Sequence, residues 1–221
     1  MKKAPEGYDA FVQKLQSGCK LKLINVVTKG KFMYWVLSFE DDHVPWFLFC
    51  TYGMTGQWQT TETAHTAFTI VFSDTQIHFN DTRRFGTLKF VKSKSALDKK
   101  LKSLGPCILN ESVPLEIFRK ALMKKPSRNI AETFLDQSAI SGIGNYLRAE
   151  ILYAARINPW REVRDLTERD FQALWKHSKE IPLAAYHTHG ASFSTYKNVD
   201  DSKGYMSFDF QVYGKKSDSF G

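Results

Sequence analysis

The chain has 221 residues, 43% hydrophobic and 24% charged, the balance of a globular protein with room for one domain or two small ones. Its 31 Lys and Arg outnumber 23 Asp and Glu for a formal net charge of +8, which favours polyanionic partners without dictating a fold. Apolar runs such as Pro45–Cys50 are too short to cross a bilayer, no basic leader opens the chain, and Cys19, Cys50 and Cys107 show no Cys-x-x-Cys spacing, so a membrane span, export, a disulfide framework, a zinc site or any other cofactor is not expected.

The first half reads as short strands. Lys20–Val27, Lys31–Phe39, Trp46–Thr51, Ala67–Phe72, Gln76–Phe79 and Gly86–Val91 are rich in Val, Ile, Phe, Tyr and Trp, the residues that suit a pleated, half-buried surface. Lys29-Gly30, Asp41-Asp42, Ser73-Asp74 and Asn80-Asp81 supply turn chemistry between them. No long helical periodicity interrupts the series, which predicts an antiparallel sandwich or barrel. Ser95–Ser103 is a short basic helix, and Leu104-Gly105-Pro106 breaks it and marks a domain boundary. Helices follow at Pro114–Met123, Asn129–Gln137, Asn145–Arg156 and Thr167–Tyr186. Thr167 and Asp170 have capping-box spacing, and Gly190 is placed to stop the last helix. The fold class is α+β. His187 and His189 lack a further ligand set and are read as surface or pocket-rim residues, not as a metal site.

Gly142-Ile143-Gly144-Asn145 opens the most informative segment. Two glycines two apart give a tight backbone turn. Ile143, Leu147 and Ile151 then recur four apart, with Leu152 beside them, so an amphipathic helix begins at Asn145. Such a junction serves either as a turn between packed helices or as an anion site made of free N–H groups at a helix N-terminus.

The stretch Gly142–Tyr153 resembles the second half of the helix–two-turn–helix of the formamidopyrimidine-DNA glycosylase / endonuclease VIII family, closest to its endonuclease VIII-like viral and eukaryotic branch. The resemblance runs from about Tyr8 to Gly214. It implies that Asn145 grips a DNA phosphate beside the lesion. Lys29-Gly30-Lys31-Phe32 resembles the family's Gly-Lys strand start, whose lysine reaches the lesion nucleotide; Lys31 matches it. Tyr52-Gly53-Met54-Thr55-Gly56 and Asn80-Asp81-Thr82-Arg83-Arg84-Phe85-Gly86 resemble two loops whose side chains fill the gap left by an extruded base, with Thr82 where a proline is common. Met54, Arg83 and Phe85 match those side chains. Read without the resemblance, the same residues are a surface lysine, a Met and a Phe in core packing, and an arginine pair on the surface.

The family's nucleophile is the amine of an N-terminal proline, followed by an acid/base glutamate. Met1-Lys2-Lys3-Ala4-Pro5-Glu6-Gly7 does not supply it. The Pro5 nitrogen lies in a peptide bond, and Gly30-Lys31 follows too soon. The resemblance therefore implies a β-sandwich over residues 1–104 without its first helix and strands, a helix–two-turn–helix domain over 105–214, and the start of an incomplete zincless finger at 215–221. It also implies a base-excision DNA glycosylase with AP-lyase activity toward oxidised bases, without its proline nucleophile. The alternatives are a catalytically inactive damaged-DNA-binding module, and a chain in which Lys31 is the substitute amine. The expected partner is double-stranded DNA with a damaged base or abasic site. A monomer is expected, with no membrane partner, in the nucleus or cytoplasm.

Overall fold

The computed structural model describes residues 4–109, 112–187 and 210–215. They divide into two units, with the break between Lys102 and Ser103. The expected helix stop at Gly190 and the residues beyond Lys215 lie outside the described residues.

The first unit opens with helix α1 (Tyr8–Gln16). Seven strands follow: β1 (Leu21–Lys29), β2 (Phe32–Phe39), β3 (Trp46–Thr51), β4 (Gly56–Gln59), β5 (Thr66–Val71), β6 (Gln76–Asp81) and β7 (Thr87–Val91). They form an antiparallel sheet ordered β1-β2-β3-β7 and a second ordered β4-β6-β5. In β2, Trp35, Leu37 and Phe39 alternate inward and are buried, the period-two pattern of a strand with one face on a core. Trp35 of the first sheet meets Trp58 of the second at 4.8 Å between ring centroids, and Phe90 meets Phe68 at 6.0 Å. The sheets thus pack face to face around aromatic side chains, as a sandwich. Cys50 is buried in this core, where loss of solvent pushes its thiol up to about 12, the behaviour of a small apolar residue.

Two elements escape the strand pattern. Helix α1 buries only Phe11, stacked on Phe90 at 4.4 Å, so it carries almost no apolar stripe. Strand β4 contains Gln57 and Gln59, polar residues that read as loop. Gln59 is nonetheless buried, and its side-chain oxygen accepts a 2.8 Å bond from Asn80. That pairing also corrects the reading of Asn80-Asp81 as a turn: both residues belong to β6 and are buried.

Helix α2 (Lys94–Ser103) leads to the second unit, which holds α3 (Leu115–Leu122), α4 (Ile130–Leu135), α5 (Asn145–Ala154) and α6 (Glu168–His187). Phe118, Leu122, Ile130, Phe134, Ile151 and Leu174 are fully buried at its centre. The Thr167–Asp170 capping box forms as expected: Asp170 Oδ2 accepts from the Thr167 N–H at 2.8 Å, and Thr167 Oγ1 accepts from the Asp170 N–H at 3.3 Å.

Candidate functional site

Strand register sets the first part of the site. Lys29 pairs with Phe32, Phe32 with Thr51, and Thr51 with Thr87. The Gly30-Lys31 turn, the loop after β3 and the loop before β7 therefore share one end of the four-stranded sheet. Thr51 and Thr87 join their hydroxyls there at 2.6 Å.

The loop after β3 runs from Tyr52 to Thr55 and re-enters the fold at Gly56, whose N–H donates to the Tyr52 carbonyl at 2.8 Å. Gly53 adopts φ +59°, and a Cβ on it would lie 2.8 Å from the Phe85 backbone. Glycine is thus required both for the left-handed turn and for the approach of the second loop. That second loop, Thr82–Gly86, turns at Arg84, also in the left-handed region at φ 59°.

A buried carboxylate joins the two loops. Asp81, 1% exposed, accepts the Thr55 hydroxyl on Oδ1 at 2.5 Å and the Gly86 N–H on Oδ2 at 2.7 Å. Thr55 Oγ1 in turn accepts the Arg83 N–H at 3.0 Å. Burial alone would raise the Asp81 carboxyl, but these donors outweigh it and hold the group below the usual carboxylate range.

The loops present Met54, Arg83 and Phe85 outward together. Met54 is 54% exposed and Phe85 63%, and Arg83 Nη1 donates to Met54 Sδ at 3.3 Å. Arg84 turns the other way, its Nη2 donating to the Thr66 carbonyl at 3.1 Å. The core-packing reading of Met54 and Phe85 is thereby excluded. Lys31 occupies the β1–β2 turn rather than the first position of a strand. The residue is exposed, yet its ammonium is crowded enough that loss of solvent lowers its pKa from the ordinary lysine value. Lys100 approaches the neighbouring Phe32 ring at 5.3 Å.

Asn145 belongs to the second unit, as the exposed first residue of α5. Gly144 is the cap, and its carbonyl accepts the Arg148 N–H at 2.8 Å. Ile143, Leu147, Ile151 and Leu152 are buried, as the four-residue spacing predicts. Gly142, at φ 107°, is braced by Gln137, which accepts its N–H at 2.9 Å and donates to the Ile143 carbonyl at 3.0 Å. The first-turn N–H groups of a helix have no partner within it, so this end of α5 can receive an anion.

Sequence reasoning missed Asp81, Thr55, Gln137 and Glu150. Buried Glu150 accepts the N–H of Gln211 on Oε2 at 2.9 Å, and those of Val212 and Tyr213 on Oε1 at 3.0 and 2.7 Å. A signal existed for two of them. Asp81 continues the inward series Ile77, Phe79 along β6, and Glu150 lies beside Ile151 on the apolar side of α5. An acid on a core-facing position must be hydrogen-bonded.

The formamidopyrimidine-DNA glycosylase N-terminal domain matches residues 3–88, and the H2TH domain of the same enzymes matches residues 104–197. The formamidopyrimidine-DNA glycosylase of Thermus thermophilus is 30% identical over 198 residues, covering 88% of this chain and 72% of that protein. That of Shouchella clausii is 29% identical over 220 residues, covering 98% and 77%. Among solved structures, the Thermus thermophilus MutM (Fpg) protein superposes with a TM-score of 0.77 at 29% identity, over 88% of this chain and 72% of that one. The Lactococcus lactis Fpg bound to abasic-site DNA gives 0.77 at 27% identity, over 93% and 75%. Sandwich, helical unit, loops and capped α5 all fall within these matched regions, and the chain belongs to the formamidopyrimidine-DNA glycosylase family.

Proposed function

We propose that this chain binds duplex DNA carrying a damaged base or an abasic site, with Met54 and Phe85 wedged into the stack and Arg83 facing the orphaned partner base. The observation that carries the reading is the joined pair of loops. Two large apolar side chains stand exposed beside an arginine, on backbone held by a buried carboxylate. Extruding a base costs a few kcal/mol, and apolar wedges between base steps recover part of it. Lys31, at the same end of the sheet, supplies a cation for the lesion phosphate. Asn145 and the N-terminus of α5 supply a neutral phosphate grip. Solved relatives include a Lactococcus lactis Fpg mutant with Fapy-dG-containing DNA, the Lactococcus lactis Fpg with abasic-site DNA and MutM with DNA containing carbocyclic 8-oxo-G, which supports oxidised or ring-opened bases as the lesion class.

Two chemical readings follow. In the first, the chain is a glycosylase/AP lyase and Lys31 is its amine. Loss of solvent lowers the pKa of that amine, which reduces the cost of the proton loss that must precede its attack. Attack on the sugar C1′ aldehyde of an abasic site forms a C=N bond and releases water, and loss of a C2′ proton then breaks the C3′–O bond. In the second reading the chain recognises damage without cutting. Pro5 has no free amine in this sequence, and the next residue is built into the sandwich, its carbonyl accepting the Phe90 N–H at 2.8 Å.

Borohydride trapping on an abasic-site duplex tests both. An adduct lost in Lys31→Ala supports the lyase reading through Lys31. An adduct that survives Lys31→Ala but disappears when the terminal amine is blocked replaces Lys31 with that amine. No adduct, with salt-sensitive binding intact, supports the binding module. Absence of duplex binding contradicts the proposal as a whole.

A further inference from the structure

We propose that Asp81 is the positioning residue of the wedge: it sets Met54, Arg83 and Phe85 in their inserting arrangement before DNA arrives. The inference rests on the wedge reading above and assigns its rigidity to one side chain. An ionised carboxylate offers about four acceptor positions and no donor. Asp81 meets one donor from each loop: the Thr55 hydroxyl on Oδ1 and the Gly86 N–H on Oδ2. Their order along the chain matters. Thr55 follows Met54 directly, and Gly86 follows Phe85 directly. Met54 and Phe85 are therefore each one residue from a group held by the same carboxylate. Thr55 closes the circuit by accepting the Arg83 N–H at 3.0 Å while donating to Asp81.

Asparagine would have the right shape and the wrong chemistry. It has one acceptor oxygen, and its NH2 would face either the Thr55 hydroxyl hydrogen or the Gly86 N–H, leaving one donor of the network unpaired. A loop freed in this way still carries Met54 and Phe85, but must be ordered at the moment of insertion, and that ordering subtracts from binding. The cost falls on lesion duplexes, where the wedge enters. Phosphate contacts to an undamaged duplex do not use it.

The readout is the ratio of affinities for an abasic-site duplex and an undamaged duplex of the same sequence, measured by fluorescence anisotropy. Asp81→Asn is expected to lower that ratio about tenfold, as loss of preorganisation predicts. Thr55→Val should lower it roughly threefold by removing one hydroxyl from the network, and Thr55→Ser should restore it. Combining Asp81→Asn with Phe85→Ala should add little to Phe85→Ala alone, because both act on one event. If Phe85→Ala collapses the ratio while Asp81→Asn and Thr55→Val keep it, the positioning role falls and the wedge stands. If Phe85→Ala and Met54→Ala keep it too, the wedge reading itself falls. Should Asp81→Asn fail to fold, the Thr55→Val and Thr55→Ser pair decides alone.

Discussion

Single atoms at the loop tips decide whether this chain can act on DNA as proposed. Gly53→Ala places a Cβ 2.8 Å from the Phe85 backbone at a residue with φ +59°. The left-handed penalty and the clash together should cost about 2 kcal/mol. Urea denaturation will show the shift, and an unchanged midpoint would mean that the loops are not closed on one another in solution. Asn145→Ala removes an exposed polar group and should leave stability within about 0.5 kcal/mol. It should weaken lesion and undamaged duplexes alike, by roughly fivefold if one hydrogen bond worth about 1 kcal/mol is lost. A loss confined to lesion duplexes would move Asn145 out of the phosphate grip. The residues that display the site were legible because loop motifs keep their order in the chain. Those that hold it were less so. Asp81 reads as half of a turn-forming Asn-Asp pair, and only its alternation with Ile77 and Phe79 marks it as inward. Gln137 carries no pattern, because its task is set by the backbone of Gly142 and Ile143, distant in register from any periodic signal.

Among the elements, β2 with its one buried face announces itself, while α1 and β4 do not. The alternation Trp35, Leu37, Phe39 locates β2 within a residue. Helix α1 contributes Phe11 alone to the core, and β4 contributes buried glutamine, so hydrophobic periodicity passes over both. Helix α5 carries two tasks. Its N-terminus presents Asn145, and one turn later Glu150 takes three consecutive N–H groups from Gln211 to Tyr213. Phe210 and Tyr213 also meet Tyr146 edge to face at 5.8 and 6.3 Å. Glu150→Ala should therefore destabilise the second unit by about 1–3 kcal/mol, through loss of three hydrogen bonds to a buried carboxylate. Hydrogen exchange should show faster amides at residues 211–213. Unchanged exchange there would mean that the segment is held by its aromatic contacts and not by the carboxylate.

For the whole chain, charge governs both stability and binding. Several carboxyls lie below the usual carboxylate range. The Ser138 hydroxyl and Lys125 lower Asp136. At Asp170, burial opposes but the Thr167 N–H and hydroxyl and Arg161 prevail, and Asp81 follows the same balance. A depressed folded-state value stabilises above the unfolded value, near 4 for Asp, and that stability is lost as pH falls through the folded values. Unfolding midpoints should be flat from about pH 7 to 5 and fall below about pH 4; a midpoint rising on acidification would contradict these assignments. The net charge of +8 predicts that the logarithm of duplex affinity falls linearly with log salt, with a slope of about −0.9 per neutralised phosphate.

Insertion of Phe85 and Met54 into a duplex beside a vacated base position is read by 2-aminopurine emission. With the fluorophore stacked next to an abasic site, saturating wild-type chain should raise the emission as the step is opened. Phe85→Ala, compared at equal occupancy, should leave it near the free-duplex level. No rise at saturation, or the same rise from both proteins, would contradict the account.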